Sequence, residues 1–326
     1  MKNTFLPQKL IFFSALLSSI FICLSSSSFL GIWMSMEINL FSIIPIISTS
    51  QMYKSEKSTA LYFLIQSISS GMILFSLMIL VTLPMMKNMM MMLLLLGLCN
   101  KLGLSPFQFW MMSFLENLPW SLCFIMMTLQ KIIPIVAILH IFPKPFLIII
   151  CLLSAFVASV SGLNMFSMRK VLGYSSLNHL SLMLLAMLLS KKLFKIYFII
   201  YTLMTFSVTK FLKTMNINFI FQTFDMYKYS SINNLALTIT VLGMAGLPPF
   251  LGFMPKMFTI MMMVEVGMIM ASSFILISNA LATFFYLRMC LANLLMNMSK
   301  EKIKKSAKFT SLPLYILFSP LVLVLM

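Results

Sequence analysis

Long apolar runs separated by short polar stretches make up almost the whole chain. About eleven of these runs are long enough to approach or cross the hydrocarbon core of a membrane. We therefore predict an all-α, polytopic membrane helix bundle of about 11 transmembrane helices, organised as a single transmembrane domain over residues 1–326. The predicted spans cover residues 8–27, 29–48, 59–82, 88–106, 121–141, 146–164, 171–189, 194–212, 232–251, 257–287 and 312–326.

Two of these helices are predicted to be broken. Glycine and proline follow closely in the segment 101–110, and three glycines and three prolines fall within 243–256. Because proline lacks an N–H and clashes with the preceding turn, neither helix can run straight through. Broken helices at membrane depth expose carbonyl groups and form polar sites. Each break carries a lysine, Lys101 or Lys256, and this parallel suggests an internal repeat.

Four charged residues lie inside hydrophobic stretches: Glu37, Lys101, Lys131 and Lys256. A lone charge at such depth costs about 2.5 to over 10 kcal/mol. A carboxylate there is protonated or paired with a cation, and a lysine removed from water can exchange a proton near neutral pH. The pattern predicts a switchable set of Glu37, Lys101 and Lys131, with Lys256 as a further site. A structural ion pair is the alternative for Glu37.

Other titratable residues are weaker candidates. His179 follows a polar stretch at the start of a span, where a histidine can pass protons through its two nitrogens or simply be a satisfied core residue. His140 is expected at an interface, and Glu116 in a polar connection, as a solvated loop charge or a site residue. Glu265 is a candidate partner for Lys256 or faces a shielded groove.

Composition narrows the class further. Apolar residues make up 61% of the chain and charged residues 9%, which excludes a soluble fold. The five cysteines show no CxxC or Cys/His spacing, so a metal or iron–sulfur site is not expected. The sequence contains no Gly-rich phosphate loop or GxGxxG motif, and hence no predicted dinucleotide site. The 35 methionines fit a genetic code, such as that of animal mitochondria, that gives methionine an extra codon.

The net charge of +17 is explained by lysines between helices, so we expect no binding to nucleic acid. With eleven spans, 15 of the 23 basic residues fall on the N-terminal side, five on the other side and three inside the membrane. This asymmetry predicts that the N-terminus faces the positive-inside compartment, the matrix if the protein is mitochondrial.

Five motifs occur together along the chain. They are LGIWMSMEINL at 30–40, KLGLSPFQFW at 101–110, QKIIP at 130–134, MRKVLGYSSLNH at 168–179 and GLPPFLGFMPK at 246–256. With these motifs in this order, the chain resembles the subunit 2 family of mitochondrial NADH:ubiquinone oxidoreductase (respiratory complex I). These are antiporter-like membrane subunits of that enzyme.

The resemblance implies an eleven-helix form that lacks three N-terminal helices of bacterial homologues, in the mitochondrial inner membrane. Its partners would be other membrane subunits of complex I, including sister antiporter-like subunits, and phospholipids. The chain would bind no cofactor itself, while NADH, FMN, iron–sulfur clusters and ubiquinone serve the whole complex. Protons would move from the matrix to the intermembrane space, coupled to quinone reduction elsewhere.

The same resemblance implies roles for individual residues. Glu37 and Lys101 would form a coupling pair, Lys131 would be the central relay, and Lys256 the exit-side lysine. Two departures from the family pattern occur: Gln108 stands where histidine is usual, and Ser181-Leu182 where Gly-Trp is usual. Since glutamine cannot titrate, the resemblance implies no proton role at position 108.

Two other functions are open at this stage. The same fold would suit a stand-alone cation/proton antiporter, which would exchange protons without sister subunits. The chain would alternatively be a mainly structural membrane subunit, with its charges paired and inert and its Met-rich and Phe-rich helix edges serving as interfaces.

Overall fold

Helices account for nearly all of the architecture. A computed structural model describes residues 5–48, 55–140, 144–223 and 231–298. Within these ranges the chain is all-α, with a single isolated antiparallel bridge between Ser167 and Phe219. The predicted all-α fold is confirmed, whereas the predicted span 312–326 lies outside the described residues.

Two compact units divide the chain, residues 1–150 and 151–326, and each is described by itself. The prediction of a single transmembrane domain stays a prediction. The first unit contains the helices α1 (Phe5–Ser25), α2 (Phe29–Ser48), α3 (Ser55–Thr82), α4 (Lys87–Leu102), α5 (Gln108–Glu116), α6 (Trp120–Met127) and α7 (Leu129–Leu139). The boundary falls within α8 (Lys144–Leu163). The second unit continues with α9 (Met168–Leu189), α10 (Lys191–Met215), α11 (Ser231–Ala245), α12 (Phe253–Glu265) and α13 (Ile269–Met298).

Several helices are long and apolar enough to cross a membrane, which makes this a multi-pass membrane protein. In the described part there are seven: Phe29–Ser48, Glu56–Thr82, Trp120–Leu139, Pro145–Leu163, Met168–Leu189, Lys191–Met215 and Ile269–Leu291. Two shorter apolar helices, Lys9–Ser25 and Ala236–Ala245, accompany them.

Both predicted breaks occur. α4 ends at Leu102 and α5 begins at Gln108, while α11 ends at Ala245 and α12 begins at Phe253. The predicted connection around Glu116 is helical instead, because the apolar segment 108–116 forms the nine-residue helix α5, too short to be recognised as a span. Glu116 closes this helix rather than lying in a loop.

The predicted span 257–287 is divided into α12 and α13. Gly267 adopts a left-handed conformation with φ of 84°, and the N–H of Met268 donates to the carbonyl of Met263 at 2.9 Å. This six-to-one bond around a left-handed glycine is the usual way in which a helix is terminated. The glycine therefore ends α12, and a new helix starts at Ile269.

One helix in each unit is central to the packing. In the first unit α7 packs against α1, α2, α4 and α6. In the second unit α9 packs against α10, α12 and α13, and every residue from Val171 to Met187 is buried. Polar residues on α7 and α9 therefore face protein rather than lipid, which is where ionisable groups at membrane depth are tolerated.

Candidate functional site

Glu37 on α2 and Lys101 on α4 form an ion pair. The Nζ atom of Lys101 lies 3.8 Å from Oε1 of Glu37, and the two side chains are 4% and 21% exposed, respectively. This separation is longer than that of a charge-assisted hydrogen bond, about 2.7–2.9 Å. Oε1 of Glu37 has no hydrogen-bond partner among the described residues. The carboxylate therefore neutralises the lysine without a tight bond, and both groups retain capacity to bind water.

The end of α4 fixes the position of Lys101. Lys101 lies in the last turn, and Gly103 follows with φ of 69°. A Cβ at position 103 would lie 2.9 Å from Sδ of Met111, so a larger residue does not fit. A cation in the last turn is also favoured by the negative end of the helix dipole. The Lys-Leu-Gly sequence thus places a buried ammonium group at a helix terminus.

Lys131 lies in the first turn of α7 and is 2% exposed. Thr128 interrupts the helix just before it, with φ of −119° and ψ of −77°, and the Thr128 hydroxyl donates to the carbonyl of Phe124 at 2.7 Å. Pro134 has no N–H to donate to the carbonyl of Gln130. Lys131 therefore lies between the interruption at Thr128 and a missing backbone hydrogen bond at Pro134. The interruption at Thr128 is a third helix break, which the sequence analysis did not predict.

A reciprocal amide pair joins α2 to α7 beside these charges. Nδ2 of Asn39 donates to Oε1 of Gln130 at 2.7 Å, and Nε2 of Gln130 donates back to Oδ1 of Asn39 at 3.1 Å. The hydroxyl of Tyr62 lies 3.5 Å from the same Oε1. Asn39 is two residues from Glu37, and Gln130 is adjacent to Lys131. The pair therefore holds the helices that carry these two charges in register.

A cavity lined by both polar and apolar side chains lies within the first unit. Its volume is about 30 Å³, and a water molecule needs at least about 10–15 Å³ measured in this way. Lys101 and Lys131 both line it, together with the amide pair. The complete lining is Met36, Asn39, Leu40, Tyr62, Gln66, Lys101, Leu102, Trp110, Met111, Met126, Gln130, Lys131, Ile133 and Pro134. We refer to Glu37, Asn39, Lys101, Gln130 and Lys131 as the N-terminal cluster.

Lys256 binds the end of α11 in the second unit. Its Nζ atom donates to the carbonyl of Ala245 at 2.8 Å and to that of Met244 at 3.3 Å, and the residue is 5% exposed. The last carbonyls of a helix lack intrahelical donors, and a cation there is favoured by the helix dipole. Gly246 turns the chain with φ of 74°, and a Cβ at that position would lie 3.0 Å from Nζ of Lys256.

His179 on α9 reaches the same helix end. Its Nε2 lies 3.2 Å from the carbonyl oxygen of Met244, and its Nδ1 lies 3.0 Å from the hydroxyl of Tyr197 on α10. Because a carbonyl only accepts, the neutral ring carries its proton on Nε2, and Nδ1 accepts from Tyr197. We refer to His179, Tyr197, the carbonyl of Met244 and Lys256 as the C-terminal cluster.

A family model described as NADH:quinone oxidoreductase/Mrp antiporter, transmembrane, matches residues 26–282. The chain belongs to this family. It is 30% identical to NADH-ubiquinone oxidoreductase chain 2 of Locusta migratoria, over 97% of this chain and 95% of the relative. It is 33% identical to the protein of the same name from Anopheles gambiae, over 89% of this chain and 87% of that relative. The predicted family resemblance is thus confirmed.

The fold of this oxidoreductase/antiporter family is also found in a solved structure. A chain of respiratory complex I from Thermus thermophilus, solved with bound aureothin, superposes with a TM-score of 0.82 at 20% identity. The match covers 98% of this chain and 77% of that chain. At this identity the comparison shows the fold alone, an antiporter-like bundle of membrane helices.

Within this family fold, the structure brings together Glu37 with Lys101, and His179 with Lys256. It does not pair Lys256 with Glu265, which is exposed at the end of α12. Whether any of these residues carries protons stays a prediction.

Several polar partners were missed at the sequence level. Asn39 and Gln130 were visible as polar residues beside charges in apolar runs, but their contact depends on the packing of α2 on α7. Tyr197 had no comparable signal, since it lies in an ordinary aromatic stretch. Gln108, which replaces the usual family histidine, begins α5 and is buried.

No metal site is evident in the described ranges, which contain no group of three or more His, Cys, Asp or Glu residues able to hold an ion. The five cysteines are all buried. That the chain binds no cofactor remains a prediction.

Proposed function

We propose that the chain is a proton-translocating subunit of the mitochondrial NADH:ubiquinone oxidoreductase, with Glu37, Lys101, Lys131 and Lys256 as proton carriers in series. His179 assists at Lys256. The redox chemistry of NADH, FMN, iron–sulfur clusters and ubiquinone takes place on other parts of the enzyme. The N-terminus faces the matrix in this proposal, and the neighbours are other membrane subunits, including sister antiporter-like subunits, and phospholipids.

One observation carries the proposal: two buried lysines line one cavity that has room for water, and a carboxylate lies 3.8 Å from one of them. Lysine side chains at such depth, facing protein rather than lipid, mark proton or ion pathways in membrane proteins. The cavity supplies a route by which a water molecule can bridge Lys101 and Lys131.

The carboxylate of Glu37 controls Lys101 electrostatically. While Glu37 is ionised, its charge stabilises the ammonium form of Lys101 across 3.8 Å. If Glu37 takes up a proton, Lys101 becomes an unpaired buried cation, which is unfavourable. Lys101 then releases its proton to water in the cavity, and Lys131 receives it.

The amide pair supports this step without taking part in it. Neither Asn39 nor Gln130 can titrate, and each satisfies the other through two hydrogen bonds. Their role is to fix α2 against α7, so that the distances between the titrating groups do not change with the charge they carry.

The C-terminal cluster can hold a proton on either of two groups. Lys256 as an ammonium ion is solvated by the carbonyls of Met244 and Ala245. His179 donates to the same Met244 oxygen, and a second proton on Nδ1 would reverse the hydrogen bond with Tyr197, whose hydroxyl oxygen would then accept. Two cations against one carbonyl oxygen repel each other, so charge on one disfavours charge on the other.

The decisive experiment replaces Lys131 with methionine in the assembled enzyme, reconstituted into liposomes. Lys131→Met keeps the length and apolar stem of the side chain but cannot carry a proton. We expect fewer protons translocated per NADH oxidised, or a slower coupled rate. Lys57→Met, an exposed position on α3, is the matched control and should behave like the unaltered enzyme. Full pumping by Lys131→Met would contradict the proposal and favour a structural role.

A stand-alone antiporter is the second candidate, because the matching family model also covers Mrp antiporters. The purified chain alone, in liposomes, separates the two. Cation-dependent proton exchange by the isolated chain would favour the antiporter. If the isolated chain exchanges no protons while the assembled enzyme pumps them, the subunit assignment is supported.

A further inference from the structure

A second buried polar contact lies on a different face of α9 from the histidine. Nδ2 of Asn178 donates to Oδ1 of Asn279 on α13 at 3.1 Å, and the two residues are 2% and 8% exposed. Oδ1 of Asn178 and Nδ2 of Asn279 have no hydrogen-bond partner in the part of the chain that the structure describes. One buried acceptor and one buried donor are therefore left side by side.

The amide pair of the first unit shows that two buried amides can satisfy each other more fully than Asn178 and Asn279 do. Asn39 and Gln130 exchange two hydrogen bonds and satisfy each other, whereas Asn178 and Asn279 exchange one. Buried polar groups in folded proteins are nearly always hydrogen-bonded to protein or to ordered water. A bound water molecule needs at least two polar partners, and the free donor and free acceptor of this pair supply them.

The contact belongs to a line of polar side chains between α9 and α13. On α9, Ser175 and Asn178 are three residues apart and share a face, and on α13 Asn279 and Tyr286 are seven apart and share a face. The hydroxyl of Tyr286 lies near Ser175 but has no hydrogen-bond partner among the described residues, whereas Asn279 accepts a hydrogen bond from Asn178. We call these four residues the α9–α13 seam. Along α13 it extends for about 10 Å.

One end of the seam lies beside the connection between two candidate membrane spans. Two residues beyond Tyr286, Arg288 donates to the carbonyls of Leu163 at 2.6 Å and of Met165 at 2.7 Å. These carbonyls lie at the connection between the candidate spans Pro145–Leu163 and Met168–Leu189, so we expect this connection at a membrane surface. The other end of the seam is Asn178, directly adjacent in sequence to His179. The seam thus runs from the surface near Arg288 to the depth of the C-terminal cluster.

We propose that the Asn178–Asn279 pair binds water, and that the α9–α13 seam is a hydrated side branch connecting His179 to the membrane surface near Arg288. The proposal rests on the proposed function and adds a second route to its C-terminal cluster. Asparagine cannot hold the proton, so its part is to orient water, along which protons move by exchange of hydrogen bonds. Tyr286 and Ser175 continue the chain of hydroxyl groups toward the surface. No covalent bond of the protein changes.

The test uses the assembled enzyme with three variants of this chain. Asn279→Leu removes the orphaned donor, and Tyr286→Phe removes only a hydroxyl group and leaves the packing intact. Ser278→Ala is the matched control, because Ser278 is the buried neighbour of Asn279 and its hydroxyl bonds within its own helix, to the carbonyl of Ile275. The readouts are ordered water in a high-resolution map and protons translocated per NADH oxidised.

We expect an ordered water within hydrogen-bond distance of Oδ1 of Asn178 and Nδ2 of Asn279, lost in Asn279→Leu and kept in Ser278→Ala. Both Asn279→Leu and Tyr286→Phe should translocate fewer protons per NADH than Ser278→Ala. A dry pair of amides overturns the water site. If Asn279→Leu does not assemble, Tyr286→Phe with pumping equal to that of Ser278→Ala overturns the branch.

Lys131→Met in the same series separates this proposal from the proposed function. If Lys131→Met lowers the proton yield while Asn279→Leu and Tyr286→Phe do not, the branch is wrong and the proposed function stands. Normal pumping by Lys131→Met contradicts the proposed function, and the branch as a proton route fails with it.

Discussion

His179 and Lys256 meet at one acceptor, the carbonyl oxygen of Met244. Nε2 of His179 lies 3.2 Å from it and Nζ of Lys256 lies 3.3 Å from it. This carbonyl is available because α11 ends at Ala245, so the last turn of the helix has no intrahelical donors. The broken helix is therefore the device that brings two titratable side chains from α9 and α12 to one point.

Substitution of Lys256 by arginine separates a relay from a structural cation. Arginine keeps the positive charge and can still donate to the carbonyls of Met244 and Ala245, but it does not release a proton in proteins. We expect Lys256→Arg to assemble nearly normally and to lose proton translocation. Lys256→Met should lower both the amount of assembled enzyme and the proton translocation. The measurement is proton yield per NADH together with the amount of assembled enzyme. Full pumping by Lys256→Arg would mean that the lysine only stabilises the helix end.

The hydroxyl of Tyr197 should matter more than that of its neighbour Tyr201. Tyr197→Phe removes the donor to Nδ1 of His179, and loss of one such hydrogen bond costs about 0.5–1.5 kcal/mol. We expect a small loss of thermal stability and a clear fall in proton yield. Tyr201→Phe is the comparison, since that hydroxyl interacts with Ser176. Equal proton yields in the two variants would argue against a role for His179.

Gly246 is expected to tolerate no side chain. Alanine there would combine a left-handed backbone, a strain of about 1–3 kcal/mol, with a Cβ close to Lys256. Gly246→Ala should lower the stability of the assembled enzyme and displace the ammonium group. Gly71→Ala in α3 is the matched control, because a Cβ there meets nothing within 4 Å. Comparable thermal stability of the two variants would contradict this account of the turn.

The amide pair should behave as a coupled unit. Asn39→Leu or Gln130→Leu alone leaves a buried amide without its partner, at a cost of about 1–3 kcal/mol. The double variant removes both amides, so its loss of stability should be smaller than the sum of the single losses. Thermal unfolding of the assembled enzyme measures all three. Strictly additive losses would show that the two side chains do not stabilise each other.

Two helix breaks and the lysines beside them could be predicted from the glycines and prolines in the sequence. Gly103 after Lys101, and Gly246 with the prolines before Lys256, marked both helix breaks and the lysines beside them. The short helix α5 and the division of α12 from α13 were missed, because nine apolar residues do not form a span and one glycine in an apolar run is a weak signal. The contacts of Gln130 and Tyr197 depend on which helices pack together, and residue spacing carries no such information.

The central claim is that Lys101 and Lys131 exchange protons through water in the cavity they share. A high-resolution map of the intact membrane assembly, examined for ordered water in this cavity, tests it most directly. We predict at least one water within hydrogen-bond distance of a lysine Nζ atom, in a continuous polar line from Glu37 through Lys101 to Lys131. A dry cavity, with each lysine held by a fixed protein partner, would contradict the account.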